Sequence, residues 1–178
     1  MKVLYSKLKI FNYKDKINSL PESSPLIKAP IQVRIKPTNA CRHNCWYCAY
    51  RKENLQLGKD MSTKDFIPRE KMFEIIEDLA SMGTQSVTFS GGGDPFHYPH
   101  FLETVKKLSN TKLQFASLTH GACLQGEIAE IFAKHATWIR VSIDGWDSES
   151  YAKYRRVGLD EFARVINNMA AFKKIRGT

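Results

Sequence analysis

Short apolar runs alternate along the chain with longer segments in which apolar residues recur at a spacing of three or four. The short runs have the length of strands and lie at residues 31–36, 85–90, 113–118 and 138–143. The longer segments predict helices at residues 68–83, 101–110, 128–132 and 162–177. Strict alternation of strands and helices predicts an α/β fold in which a parallel sheet is covered by helices.

Residues of types that bind metals, ligands or cofactors follow every predicted strand. Three cysteines follow the first strand and three glycines the second, whereas residues 119–121 (Thr-His-Gly) and 144–145 (Asp-Gly) follow the third and the fourth. The carboxyl ends of parallel strands meet at one edge of a sheet, where ligands bind in folds of this kind. The sequence therefore predicts one site, built from all four loops.

The cysteines are the most specific of these signals. Cys41, Cys45 and Cys48 are separated by three and then by two residues. Three thiols this close favour a metal ion or an iron-sulfur cluster, and a four-iron cluster held by three cysteines keeps one iron open. The alternative is a zinc site completed by His43 or by another histidine.

The spacing C-x3-C-x2-C, with Tyr47 directly before the last cysteine, resembles the signature of the radical S-adenosylmethionine (radical SAM) superfamily. The resemblance implies a 4Fe-4S cluster on Cys41, Cys45 and Cys48, with SAM chelated to the open iron. In that family the reduced cluster cleaves SAM to a 5'-deoxyadenosyl radical, which abstracts hydrogen from the substrate. A peptide or a small metabolite is the expected substrate.

The glycine run Ser90-Gly-Gly-Gly-Asp-Pro95 resembles the family's glycine-rich motif, whose backbone holds the amino group of SAM. The resemblance therefore assigns cofactor contacts to Gly91, Gly92, Gly93 and Asp94. The family more often has glutamate where this chain has Asp94, so a role for the backbone is expected before a role for that shorter side chain. A tight turn would use the same glycines.

Further cofactor contacts come from the same resemblance. Ser142 and Asp144 share one face of the fourth strand and are expected near the SAM ribose, although Asp144 could instead cap the next helix. Arg155 is chosen over Arg156 to meet the SAM carboxylate, since a guanidinium suits a carboxylate. Tyr47 is expected near the adenine, with a place in the core as the alternative.

The sequence assigns no functional role to the remaining histidines and to the fourth cysteine. Residues 119–121 resemble a Thr-Asn-Gly motif of some relatives, with His120 in place of the asparagine. Cys123 reads as a core residue, since buried free cysteine is common. His97, His100 and His135 show no pairing in the sequence.

The net charge of +9 is concentrated at the N-terminus, where residues 1–36 hold eight Lys or Arg against two acids. This excess predicts a docking face for an acidic electron donor such as flavodoxin or ferredoxin, or for an anionic substrate. A solvated extension without a partner is the alternative. No nucleic-acid-binding module is recognisable, and no apolar segment has the length of a membrane span, so a cytoplasmic protein is expected.

The pattern divides the chain into a basic N-terminal extension, residues 1–30, and a radical SAM core domain, residues 31–178. Alternation at Leu8, Ile10 and Tyr13 predicts a short edge element in the extension. The family's partial (β/α) barrel has six strand-helix units and four are visible, so the chain is expected to be part of a longer protein. An iron-sulfur electron carrier and a zinc-stabilised α/β binding module, both without SAM chemistry, are the alternative functions.

Overall fold

The computed structural model describes residues 9–20, 27–52 and 56–177, and these contain one four-stranded sheet. The strands are β1 Gln32–Ile35, β2 Ser86–Phe89, β3 Gln114–Thr119 and β4 Trp138–Val141. All three pairings are parallel and the strands lie side by side in chain order. In this register Ile35 lies beside Phe89, so the cysteine loop and the glycine run leave the sheet next to each other. The predicted α/β fold with four strand-helix units is confirmed.

Seven α-helices lie in the described part of the chain. They are α1 Lys14–Ile17, α2 Gln56–Lys59, α3 Arg69–Ser81, α4 Phe101–Ser109, α5 Gly126–His135, α6 Ser148–Arg155 and α7 Asp160–Arg176. Four of them, α3, α4, α5 and α7, are the predicted helices. No helix of the described residues combines the length and the apolar character needed to cross a membrane.

Two elements differ from the prediction. Lys9–Asn12 is a 3₁₀ helix that leads into α1, so residues 9–17 form no edge strand, while Leu8 lies outside the described residues. Helix α6 was not predicted. It begins with a capping box, in which the Asp147 side chain accepts from the backbone N–H of Ser150 and the Ser150 side chain bonds back to Asp147.

The main core lies between the sheet and helices α3, α4 and α5. Phe101 of α4 packs edge-on against Phe89 at 5.3 Å, and Phe132 of α5 packs edge-on against Phe115 at 5.5 Å. Each of these buried rings stabilises the fold by about 1.5–3 kcal/mol. A second cluster around the fully buried Tyr151 joins α6 and α7 to β4. This packing holds the carboxyl ends of the four strands in one row.

Candidate functional site

A cavity of about 230 Å³ opens at the carboxyl edge of the sheet. The residues around it come mainly from the loops that follow the four strands, together with the end of β3 and the last residue of α6. Its wall contains most of the residues singled out in the sequence: Cys41, Cys45, Tyr47, Cys48, Gly91, Gly92, Gly93, Asp94, Ser142 and Arg155. Asp144 is hydrogen-bonded to two of these residues, Tyr47 and Arg155. The structure therefore places every predicted site residue in one region.

The three cysteines of the loop are free thiols and half-buried. The loop is tied to its neighbours through the backbone, since the Asn44 N–H donates to the Arg155 carbonyl (3.1 Å) and Arg51 donates to the Cys41 carbonyl (3.2 Å). Desolvation raises the pKa of Cys41 to about 11, so this thiol keeps its proton until a metal displaces it.

The donor set fits an iron-sulfur cluster. Among the described residues, no three Cys, His, Asp or Glu side chains converge closely enough to hold one metal ion. Three thiols that line one cavity suit a cluster, which can be held by three cysteines with one iron left open. His43 Nε2 pairs with Glu161 Oε1 at 3.0 Å, while its Nδ1 is buried without a hydrogen-bond partner among the described residues.

The glycine run packs against the beginning of the cysteine loop. Gly91 and Gly92 have φ of 89° and 68°, a conformation that L side chains rarely adopt. At Gly93 a Cβ atom would lie 1.9 Å from the carbonyl oxygen of Ala40. The Gly93 N–H also donates to the Thr38 carbonyl at 2.8 Å. The glycines thus let two loops meet backbone to backbone, in addition to exposing backbone to the cavity.

The Asp94 carboxylate is buried and is used within the protein. It accepts hydrogen bonds from the Phe96 N–H (2.9 Å), the Thr119 hydroxyl (2.8 Å) and the His120 N–H (2.6 Å). Desolvation raises the pKa of this carboxyl and the hydrogen bonds act against that shift. The side chain fastens the loop after β2 to the loop after β3, a role that the sequence did not suggest.

Arg155 is 6% exposed and lies between a cysteine and an aspartate. Its guanidinium donates to the Ser142 carbonyl (2.7 Å), to the Asp144 carboxylate and to Cys45 Sγ (3.5 Å). The Tyr47 hydroxyl donates to the same Asp144 oxygen at 2.6 Å, and desolvation together with this bond raises the pKa of Tyr47. The four side chains form one connected network at the cavity.

Two alternatives from the sequence are wrong. Asp144 does not cap the following helix, because the N-cap of α6 is Asp147. Tyr47 is not a core aromatic, since 41% of it is exposed. The polar groups of the two residues are instead hydrogen-bonded to each other beside the cavity.

A buried pair of histidines forms the cavity wall beside the cysteine loop. The rings of His43 and His120 stack with centroids 3.8 Å apart. His120 Nδ1 accepts from the Ala122 N–H at 3.1 Å, which assigns the proton of the neutral ring to Nε2. Desolvation, with smaller contributions from the neighbouring histidines, lowers the pKa of His120 to about 2. His43 follows β1 and His120 follows β3, so the sequence predicts that both lie at the carboxyl edge of the sheet. It does not predict the contact of His43 with Glu161.

The expectation that His97 and His100 are unpaired is wrong. His97 Nε2 lies 3.2 Å from His120 Nε2 and 3.7 Å from Cys123 Sγ. His100 lies 3.6 Å from Glu103. His97 and Cys123 thus extend the pair of His43 and His120 away from the cavity. Cys123 contacts this histidine group and not the cysteine loop.

Fold and site together define a class of protein: a partial (β/α) barrel that carries a cysteine cluster and a glycine run at its carboxyl edge. The sequence model described as "Radical SAM superfamily" matches residues 35–178. The chain belongs to the radical SAM superfamily.

Curated relatives carry different activities. The chain is 26% identical over 143 residues to an S-adenosylmethionine-dependent nucleotide dehydratase of Lacinutrix mariniflava, covering 79% of this chain and 29% of that protein. It is 27% identical over 142 residues to a GTP 3',8-cyclase of Pasteurella multocida, covering 77% and 39%. The chain thus spans well under half of either relative.

Among solved structures, Streptococcus suis SuiB bound to S-adenosylmethionine aligns with a TM-score of 0.69 and 18% identity, over 94% of this chain and 36% of that one. SuiB bound to its precursor peptide SuiA aligns with a TM-score of 0.69 and 19% identity, over 94% and 35%. At this identity the likeness concerns the fold.

Proposed function

We propose that this chain binds a 4Fe-4S cluster through Cys41, Cys45 and Cys48 and holds SAM in the adjoining cavity, as part of a radical SAM enzyme. The observation that carries the proposal is that three free thiols, the glycine run and a buried arginine line the same cavity. When bound, the cluster and SAM would supply the radical chemistry that removes a hydrogen atom from the substrate.

Different residues of the cavity are assigned to different parts of SAM. The backbone of Gly91–Gly93 faces the cavity and is assigned the SAM amino group. Ser142 and Asp144 are assigned the ribose, and Tyr47, at the mouth, the adenine. Arg155 is assigned the carboxylate. Asp94 contributes by fixing two of the loops, because its hydrogen-bonding capacity is already used.

The substrate class that we propose is a peptide or a small molecule. The structural relative SuiB binds a precursor peptide, whereas the two curated relatives are named for reactions of nucleotides. The electron donor that we propose is a flavodoxin or a ferredoxin, attracted by the positive charge of the chain.

The test is anaerobic reconstitution of the full chain with iron and sulfide. We expect an iron-sulfur absorption band, a cluster resonance that shifts when SAM is added, and 5'-deoxyadenosine after reduction. Alanine at Cys41, Cys45 or Cys48 should abolish all three, and Cys123→Ala is the matched control that should retain them. A cluster signal unchanged by SAM would indicate an electron carrier, and a colourless zinc protein would indicate a binding module.

A further inference from the structure

The guanidinium of Arg155 makes a direct contact with one of the three cysteine thiols. Its Nη1 donates to Cys45 Sγ at 3.5 Å, a normal length for a hydrogen bond to sulfur. Arginine keeps its charge at any pH at which proteins fold. A positive charge, 6% exposed, therefore lies against a proposed ligand of the cluster.

The position of this guanidinium is fixed from several sides. Nη2 is held by the Ser142 carbonyl and the Asp144 carboxylate, and the Arg155 carbonyl accepts from the Asn44 N–H inside the cysteine loop. Nε, in contrast, is buried without a hydrogen-bond partner among the described residues. A buried donor without a partner is unfavourable, so the fold maintains this contact with sulfur against a local penalty.

The negatively charged carboxylate of Asp144 is paired with the same guanidinium. Its side chain is 45% exposed and also accepts from Tyr47, so it offsets the charge of Arg155 from the solvent side. The Arg155 guanidinium thus lies between Cys45 Sγ on one side and the partly exposed Asp144 carboxylate on the other.

We propose that Arg155 raises the reduction potential of the cluster and that Asp144 moderates this effect; the inference rests on the proposed function. Reduction adds negative charge to a cluster already surrounded by thiolates. A hydrogen bond and a positive charge at one of these sulfurs stabilise the reduced form, because such bonds set cluster potentials. The same guanidinium is assigned to SAM above, so its effect is to be measured before SAM is added.

The test is a redox titration of the reconstituted full chain without SAM. The electron paramagnetic resonance signal of the reduced cluster measures the fraction that is reduced at each potential. Arg155→Gln is expected to shift the ratio of reduced to oxidised cluster about tenfold toward the oxidised form, equivalent to a potential about 59 mV lower. Arg156→Gln is the matched control, because it removes the same charge from the adjacent, exposed position and should leave the potential unchanged. Asp144→Asn is expected to move the potential the other way.

The outcomes separate this inference from the proposed function. If the wild-type chain assembles no cluster, both are overturned. If Arg155→Gln and Arg156→Gln give equal potentials, or if Asp144→Asn lowers the potential, the role of Arg155 is overturned and the proposed function is untouched. If Arg155→Gln does not fold, judged by circular dichroism, the direction of the Asp144→Asn shift decides.

Discussion

The ring of His43, from the cysteine loop, lies flat on the ring of His120, from the loop after β3, with an angle of 14° between their planes. Both side chains are almost fully buried and both have a lowered pKa, chiefly because desolvation penalises the charged ring. The stack joins two loops of the cavity while both rings are neutral. Protonation of either ring in the folded state is therefore unfavourable.

This stack predicts that the metal-free chain loses stability as the pH falls below about 6.5, the ordinary pKa of histidine. Below that pH the unfolded chain binds a proton at His120, whereas the folded chain does so only near its pKa of about 2. Each such histidine should lower the free energy of unfolding by about 1.4 kcal/mol per pH unit. Urea unfolding at several pH values between about 7 and 5 measures the slope.

The matched variants for this experiment are His120→Asn and His135→Asn. Asparagine at position 120 can still accept from the Ala122 N–H but does not titrate, so the slope should become shallower. His135 is exposed, and its replacement should leave the slope unchanged. Equal slopes in both variants would contradict the role given to the buried ring.

The contact between the glycine run and the cysteine loop predicts that Gly93→Ala is severely destabilising. A methyl group would lie 1.9 Å from the Ala40 carbonyl oxygen, so the two loops must separate. We expect a loss of about 3 kcal/mol or more and poor uptake of iron. The measurements are the urea midpoint and the iron content after reconstitution.

Gly83→Ala is the control for this variant. Gly83 has φ of 83°, and nothing lies within 4 Å of the added atom, so the substitution strains the backbone without a clash. We expect a loss of about 1 kcal/mol and normal iron uptake. Equal effects of the two alanines would contradict the contact between the loops as the reason for glycine at position 93, because Gly93, unlike Gly83, has no positive φ.

The strands and the long helices were predictable because their burial repeats locally. The predicted strand at residues 138–143 is observed at Trp138–Val141, and the predicted helix at 101–110 at Phe101–Ser109. Helix α6 was missed because polar residues dominate it and the buried Tyr151 alone does not make a pattern. Local periodicity therefore identifies helices that pack a whole apolar face, and misses α6, which buries Tyr151 together with the polar residues Ser150 and Arg155.

The site was predictable in its location and not in its internal bonds. Parallel topology brings loops after strands together, whatever their sequence, and this placed the cysteines and the glycines at one edge. Arg155, the last residue of α6, was assigned through the resemblance to the family. The pairing of His43 with Glu161 joins residues 118 positions apart, and no short-range pattern encodes it. The role of Asp94 was also hidden, because a carboxylate looks the same in a sequence whether it faces a ligand or a neighbouring loop.

The hydrogen bonds of Asp94 predict that Asp94→Asn loosens the cavity. An amide would turn an N–H group toward the donors Phe96 N–H, Thr119 Oγ1 or His120 N–H, leaving at least one of them without an acceptor. The expected loss in the free energy of unfolding is about 1–3 kcal/mol. Asp60→Asn, at an exposed position, should change little. A loss no greater than that of the control would show that Asp94 does not fasten the loops.

The side chain of Tyr151 predicts a substitution that does not harm stability. Its ring is fully buried and packs 5.5 Å from Phe162, while its hydroxyl has no hydrogen-bond partner among the described residues. Tyr151→Phe removes a buried polar group that is unpaired, so the free energy of unfolding should stay equal or rise by up to about 1 kcal/mol. Tyr151→Ala, which also removes the ring, should cost about 3–5 kcal/mol.

Tyr98 provides the comparison for this prediction, because it is also buried but its hydroxyl donates to the Ile67 carbonyl at 2.7 Å. Tyr98→Phe leaves that bond unmade and should cost about 1 kcal/mol. The two Tyr→Phe variants remove the same atom from similar surroundings, so the difference between their urea midpoints isolates the hydrogen bond. If Tyr151→Phe loses as much stability as Tyr98→Phe, the Tyr151 hydroxyl has a partner, such as a bound water molecule, and the second core cluster is not purely apolar there.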